Sequence, residues 1–342
     1  MRFLIVGLGS MGKRRIRNLQ YLKAGEVLGF DLRTDRCQEA RQKYNIEIFA
    51  DFDEAMDREP DALIISTPPD KHVNYAMIAA KANIDFFTES NFVLDGMEEL
   101  IALCKGRNIV AAPSCTLRYH PSVKLMKEML DKGEIGQVLN FVHRYGEYLP
   151  DWHPWENIKD FYVSKRQTGA CRDIVAFELD FITSFFGQVR TVSCFKDKLS
   201  HLECDIDDVY QINLRFDRGI MGSLLVNVIE RIEKEPSRYF KMISEEGLIL
   251  WDNEQKSVRV YKSSDKMWKE YPEPPQAAPG PSGWGEKSAF NTDMYIAELE
   301  TFIKAIKGET CYPKTFEEDR QIIEVLYAAE RSAETGTHIH LR

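Results

Sequence analysis

The sequence predicts an α/β chain in two parts: a doubly wound parallel sheet, then an α+β domain with a large open, mostly antiparallel sheet. Three observations carry this. A short apolar run, "FLIV" at residues 3–6, leads straight into "GLGSMG" and a helical pattern. Apolar strands and amphipathic helices then alternate to about residue 120, the pattern of parallel strands joined by right-handed crossovers. From about residue 135 the periodicity changes to β-rich segments, several of them alternating apolar with polar.

The glycine stretch is the most specific element. "FLIV" suits a strand covered on both faces, and "KRRIRNLQYL" places Ile16, Leu19 and Leu22 at helical spacing. In this strand, turn and helix, Gly7 permits the tight turn and Gly9 lets the backbone approach a pyrophosphate. Gly12 lets helix and strand pack closely, which leaves the amides of Ser10 and Met11 aimed at the anion. A second strand, "EVLGF", ends at Asp31. Its distance from the last glycine is close to the ~20 residues expected for an acid accepting from a ribose 2′-hydroxyl. NAD is therefore the expected cofactor. Arg33, two residues on, could instead hold the 2′-phosphate of NADP. Lys13, Arg14, Arg15 and Arg17 read mainly as the solvated face of this first helix.

The strand–helix pattern repeats in "DALIISTPPDKHVNYAMIAAKA", in "IDFFTES" followed by "GMEELIALCKGR", and in "NIVAAPSC". Loops at the strand ends, Thr67 to His72 with Pro68, Glu89 to Asn91, and Ser114 to His120, should line one crevice. Glu89 and His72 are candidates there, although a histidine at a helix start is often structural.

In the second part, "QVLNFVHRYGEY", "RTVSCFKDK", "DDVYQINLRFDRGIMGSLLVNVIE", "RYFKMISEEGLILWD" and "SVRVYK" read as strands, with a turn at Asp217-Arg218-Gly219. One helix, "DIVAFELDFITSFFG", interrupts them. The Pro-rich stretch 270–285 reads as an irregular connection, and the two helices after it end at Gly308 and Gly336, placed as C-caps. Domains of 1–120 and 121–342 follow, and the final helices are free to pack back on the first. A sheet faced by helices on one side leaves its other face to be covered, so a homodimer or homotetramer through that face is expected.

Composition narrows the function classes. With 44% hydrophobic and 29% charged residues the 342-residue chain is globular, and a net charge of -9 argues against a nucleic-acid partner. Seven scattered cysteines without a C-x-x-C pair indicate neither a disulfide framework nor a zinc site, and no metal is expected. No apolar run nears the roughly 18 residues of a membrane span, and no leader is read at the N-terminus, so a cytoplasmic location is expected.

Taken together, "VGLGSMGKRRIRNL", "DALIISTPPDKHVNYAMIAAKA", "LRYHPSVKLMKEMLDKGEIGQV" and "FEEDRQIIEVLYAAERSAETG" resemble the glucose-fructose oxidoreductase, inositol dehydrogenase and rhizopine-catabolism (Gfo/Idh/MocA) family. The resemblance implies a Rossmann domain followed by a domain with an open sheet, usually in a dimer or tetramer. It also implies NAD- or NADP-dependent oxidation of a sugar, cyclitol, sugar nucleotide or related polyol.

Two family motifs depart here. The usual strand-end Glu-Lys-Pro is Glu89-Ser90-Asn91, so the lysine beside nicotinamide and substrate is missing. In "TGACRDIVAFELD" the aligned positions are Gly169, Asp173, Phe177 and Asp180, so the family's acid/base histidine is Phe177. A placed acid/base group contributes about 10²- to 10⁴-fold, which serine and phenylalanine cannot supply alone. Asp173, His120 and Glu178 are the candidates to position substrate and handle the proton. "YLPDWHPWENIKDFYVSKRQTGACRD" reads as a substrate loop, with Arg118, Tyr119, His153, Tyr162, Lys165 and Arg172 as candidate contacts to a sugar ring bearing an acid or phosphate. For each residue taken singly, surface exposure or packing is the competing explanation. This loop resembles that of family members found with surface-polysaccharide and nonulosonic-acid pathways, which implies an activated or acidic sugar. Two other readings stay open: a dinucleotide- and sugar-binding sensor without catalysis, and an epimerase or lyase that recycles tightly held NAD.

Overall fold

The computed structural model describes residues 1–154, 157–231, 236–275 and 292–341. They divide into two compact units: Met1–Thr116 with Thr292–Arg320, and residues 117–275 with 321–341. In the first unit, β1 (Arg2–Val6), β2 (Glu26–Phe30), β3 (Glu47–Phe49), β4 (Ala62–Ile65), β5 (Asp85–Thr88) and β6 (Ala111–Pro113) form a sheet in the order β3-β2-β1-β4-β5-β6. Every neighbouring pair is parallel. Phe3, Leu4, Ile5 and Val6 are fully buried, as a strand with helices over both faces requires. Helices α1 (Ser10–Tyr21), α2 (Thr34–Tyr44), α3 (Phe52–Met56), α4 (His72–Ala82) and α5 (Met97–Cys104) supply those layers. The short β3 is not anticipated by the sequence reading, because "EIF" is too brief to show a period. Strand order reverses between β1 and β4, which puts the ligand crevice of such a sheet at their carboxyl ends.

The second unit begins with α6 (Pro121–Asp131) and β7 (Val138–Gly146), followed by α7 (Ala170–Phe186). After it come β8 (Val189–Asp197), β9 (Val209–Phe216), β10 (Met221–Asn227), β11 (Ser237–Ser244), β12 (Gly247–Asp252), β13 (Ser257–Lys262) and β14 (Met267–Pro272). With a final strand β15 (Ile339–His340) they make a nine-stranded sheet, β14-β13-β12-β11-β7-β10-β9-β8-β15. All neighbours are antiparallel except β7 and β10, which run parallel. The stretch read as irregular from residue 270 starts inside β14, and its part from 276 to 285 lies outside the described residues. Alternation decides which face is buried: Tyr210, Ile212, Leu214 and Phe216 of β9 are buried while Gln211, Asn213 and Arg215 are exposed. The buried face packs on α7 through aromatics, with Phe141 stacked on Phe186 at 5.0 Å and Phe181 edge-on to Phe240 at 5.3 Å. The other face leaves Val142, Phe195 and Met221 exposed.

Of the last two helices, α8 (Thr292–Ile306) places Leu299, Phe302 and Ile303 in the core of the first unit beside Phe3, Ile5, Ile16 and Leu19. Helix α9 (Phe316–Thr335) follows. Gly308 and Gly336 take φ of 73° and 64°, the left-handed turn that ends a helix. Among the described residues no helix is long and apolar enough to cross a membrane.

Candidate active site

The glycine turn lies where the strand order reverses. Gly7 has φ +95°, and a Cβ there would stand 2.8 Å from the Ser66 carbonyl oxygen. A Cβ on Gly12 would meet the Gly7 carbonyl oxygen at 1.8 Å, so only glycine lets α1 approach the turn this closely. Gly9 is the N-cap of α1, no side chain caps it, and the first turn carries no acid. The amides of Ser10, Met11 and Gly12 are thus left to an anionic ligand. Asp31 at the end of β2 accepts from the Leu8 amide at 2.7 Å and the Arg33 amide at 2.9 Å, so the carboxylate also braces the glycine turn.

The arginine nearest that turn is Arg36, not Arg33. Arg36 Nη1 is 3.8 Å from Asp31 and 3.4 Å from where a Gly9 Cβ would be, whereas Arg33 pairs with Asp35 at 2.6 Å in solvent. Past β4, Pro68 is extended and the buried Thr67 Oγ1 has no protein partner. An orphaned hydroxyl, an uncapped helix start and a turn that excludes any Cβ fit a dinucleotide. When bound, its nicotinamide exchanges a hydride. His72 is buried, with Nε2 2.8 Å from the Thr67 carbonyl and Nδ1 2.9 Å from Asn91 Oδ1. Burial lowers its pKa, and it holds the loop rather than facing a ligand as a cation.

The basic cluster of α1 is not the solvated face expected. Arg14 and Arg15 are 1% and 0% exposed. Arg15 donates to both oxygens of Glu89 (2.7 and 2.8 Å) and to Glu298 of α8 (3.0 Å). Glu298 in turn accepts from Ser114 Oγ, the Cys115 amide and Thr116 Oγ1. Because Glu89 also accepts from Ser66 Oγ at 3.0 Å, the carboxylate proposed for the cofactor is largely committed to joining α1, β4 and β5. Arg14 lies 4.2 Å over the Tyr295 ring. Next along the departed motif, Asn91 donates to Thr88 Oγ1 at 2.9 Å and Asp319 Oδ2 at 2.7 Å. Asp319 pairs with the buried Lys314 at 2.6 Å, and Lys314 reaches the Ser114 carbonyl at 2.9 Å.

In the second unit, Asp173 sits in the first turn of α7, partly buried, with its amide on the Gly169 carbonyl at 3.1 Å. Two other proton-transfer candidates are engaged elsewhere. Glu178 is fully buried between Arg238 (2.6 Å) and His143 (2.7 Å). Burial pushes its carboxyl up, but the Arg238 charge and the His143 hydrogen bond outweigh this and hold it at about 2. It joins Arg238 and His143 in a buried hydrogen-bonded cluster and is too acidic to take a proton near neutrality. His120 caps α6, its Nδ1 accepting from the Ser122 amide at 3.2 Å, and its ring packs 4.9 Å from Trp251.

Desolvation, then the Arg238 charge, pushes His120 down to about 3. It is neutral and a poor base at pH 7, which removes it from the proton-transfer set. Its folded pKa lies below the unfolded ~6.5, so the unfolded chain binds the extra proton first. The stability it contributes is full above pH 6.5 and declines as pH falls toward about 3. Urea midpoints are expected to drop over that range, and His120→Asn, which can keep the cap, should flatten the decline. An unchanged slope would contradict this.

The loop candidates form two groups. His153 stacks on Phe161 at 4.1 Å, and Phe161 meets Tyr162 edge-on at 4.7 Å, a continuous aromatic surface. Lys165 stands exposed beside it in sequence, while Trp155 and Glu156 lie outside the described residues. Arg118 and Arg172 are instead tied down. Arg118 makes a paired contact with Asp180 at 3.0 and 2.9 Å, and Arg172 bonds Glu330 of α9 at 2.7 Å with Tyr327 beneath it. Tyr119 is partly buried, with Lys124 5.1 Å over its ring.

Sequence reasoning missed Glu147. Its signal was the alternation of β7: His143 and Tyr145 point to the helix-covered face, and residue 147 continues that parity. Tyr145 Oη donates to Glu147 Oε2 at 2.6 Å. No group of histidine, cysteine, aspartate or glutamate among the described residues is arranged to hold a metal.

A doubly wound dinucleotide cradle joined to an open-sheet domain defines an NAD-binding oxidoreductase. Residues 1–113 match the oxidoreductase family with an NAD-binding Rossmann fold, and residues 123–249 match the GFO/IDH/MocA C-terminal domain. The chain belongs to the Gfo/Idh/MocA family. Among its relatives is the myo-inositol 2-dehydrogenase of Thermotoga maritima, 24% identical over 100% of this chain and 98% of that protein. Another is the UDP-N-acetylglucosamine 3-dehydrogenase of Acidithiobacillus ferrooxidans, 23% identical over 90% and 88%. The structure of a levoglucosan dehydrogenase with NADH superposes with a TM-score of 0.86 at 20% identity, over 100% and 99% of the two chains.

Proposed function

We propose that the chain oxidises or reduces a hydroxyl-bearing carbon of a sugar, sugar acid or nucleotide sugar with NAD, using an acid/base set that lacks the family lysine and histidine. The observation that carries this reading is the intact dinucleotide cradle: Gly12 against Gly7, the uncapped start of α1, and Asp31 on the turn. Relatives named for inositol, UDP-N-acetylglucosamine and levoglucosan support a polyol or sugar substrate. The His153–Phe161–Tyr162 surface suits the apolar face of a sugar ring, with Lys165 as a charged neighbour for an acid or phosphate. Asp173 is the retained family residue for placing the substrate hydroxyl.

The test is the NADH absorbance of purified protein given NAD or NADP with a panel of polyols, sugar acids and nucleotide sugars. Substrate-dependent reduction that prefers NAD supports the proposal. Ser90 and Phe177 favour a second reading, a sensor that binds dinucleotide and sugar without redox. Tight NAD binding with no turnover by any panel member would favour that reading. Cofactor-dependent isomerisation or elimination without net NADH would instead indicate recycled NAD. The exposed Val142, Phe195 and Met221 suit a dimer or tetramer through the open sheet, which light scattering tests. All seven cysteines are free, in keeping with a cytoplasmic setting.

A further inference from the structure

We propose that Glu147, held by Tyr145 at the end of β7, is the group that exchanges the substrate hydroxyl proton. The inference rests on the dehydrogenase reading above and supplies the base that Ser90 and Phe177 do not.

The packing of β7 against α7 gives the location. Phe141 stacks on Phe186, while His143, two residues further, bonds Glu178 and meets Phe181 at 5.4 Å. Advancing along β7 therefore retreats along α7. Four more residues of strand cover about 13 Å, the length of about nine helical residues. By that measure Glu147 stands about level with the first turn of α7, the end that carries Gly169 and Asp173. Backbone bonds fix it there: its amide donates to the Asn227 carbonyl at 3.2 Å and its carbonyl accepts from Glu230 at 3.1 Å. Unlike fully buried Glu178, Glu147 is only partly buried. The candidate substrate loop starts at the next residue, which puts this carboxylate at the base of that loop.

The charged surroundings suit proton exchange. Desolvation pushes the Glu147 carboxyl up to about 7, against the Tyr145 hydrogen bond, the Trp152 indole and the Arg238 charge that lower it. Asp151 from the loop adds a raising contribution. Glu178 lies beyond Arg238 and is neutralised by it, and Arg238 spreads over the Tyr145 ring at 4.9 Å. Glu230 faces away into Arg144. A carboxylate that titrates near neutrality can take a proton and return it to solvent in each cycle.

In the oxidative direction the substrate O–H bond breaks and its electron pair becomes the second bond of the new carbonyl. The proton passes to a Glu147 Oε, and the hydride leaves with the electron pair of the C–H bond to the NAD that the glycine cradle would hold, which is the oxidant. The reverse reaction takes the proton from Glu147. Asp173 accepts a hydrogen bond from a neighbouring hydroxyl of the substrate and so orients the ring, leaving the reacting O–H to Glu147.

The experiment compares wild type with Glu147→Gln, Glu147→Asp and Tyr145→Phe, all with NAD. Glu147→Gln should bind NAD within about twofold of wild type by calorimetry and melt normally, yet lose about 10²- to 10⁴-fold in kcat. Glu147→Asp should recover part of that loss. A carboxyl infrared band titrating near pH 7 in the NAD-bound wild type should vanish in Glu147→Gln. Tyr145→Phe removes a bond to the ionised form, so the band and the acid limb of kcat/KM should move to higher pH. Wild-type turnover with Glu147→Gln keeping its rate and pH profile would overturn this inference alone. If wild type turns over no polyol or sugar of the panel, the dehydrogenase reading fails and this inference with it.

Discussion

Replacing Arg15 with methionine is expected to destabilise the first unit by about 3–5 kcal/mol, the cost of removing one partner from a buried ion network. Arg15 is fully buried, Glu298 likewise, and Glu89 has 12% of its side chain exposed. Burial alone would lower the arginine pKa, yet Glu89 and then Glu298 outweigh it and raise it, so the guanidinium is charged at every working pH. Methionine fills much of the volume but leaves two carboxylates facing each other without a cation. The Ser114, Cys115 and Thr116 donors satisfy part of Glu298, and Ser66 part of Glu89. The loss should therefore stay within that range. Adding Glu298→Gln to Arg15→Met should cost less than the two single changes summed, because the second removes the charge the first left exposed. Urea unfolding checks both, and an Arg15→Met variant within about 1 kcal/mol of wild type would contradict the network's role.

Gly12→Ala is expected to abolish measurable NAD binding, a loss of at least about 100-fold in Kd, or some 2.7 kcal/mol. Its Cβ would overlap a backbone oxygen at 1.8 Å, an atom that no rotamer change can move. The start of α1 must shift away from the turn, and the Ser10 and Met11 amides lose their aim at the pyrophosphate. Gly9→Ala is the contrasting control. Its Cβ meets only the far end of the Arg36 side chain at 3.4 Å, so it should fold with near-normal stability and fail chiefly at the ligand. Calorimetric titration with NAD, together with thermal melting, separates the two. Equal NAD affinity in Gly12→Ala and wild type would overturn this account of the cradle.

The sequence made the architecture legible where local pattern and global fold agree. "FLIV" followed by three spaced glycines and an acid at position 31 needs no tertiary information, and the alternation of "VYQINLRF" names its own buried face. The partners of ionic side chains were not legible. Arg15 meets Glu298 across 283 positions of sequence and Arg238 meets Glu178 across 60, so no window along the chain links them. The basic run of α1 therefore read as solvated. The same limit hid the engagement of Glu178 and His120, which looked available because they neighbour the departed motif. Neither the parallel pairing of β7 with β10 nor the role of Arg36 leaves a local trace, because both depend on which strand or turn becomes the neighbour.

The Asn91 network bears on which substitutions residue 91 can accept. A Glu-Lys-Pro strand end, the form the family resemblance implies, would put proline at position 91, and proline has no side-chain amide or carbonyl. His72 Nδ1 would lose its partner, and Asp319 and Thr88 their donor, in one step. Lys314, which pairs with Asp319, would then sit beside an aspartate with one contact fewer. Proline at position 91 is thus not a neutral exchange: His72, Thr88 and Asp319 are all bonded by the asparagine, and accommodating proline would need several coordinated changes. Residue 91 is in effect a latch on three elements at once, so a change of chemistry here is easier to reach through other side chains than through this position.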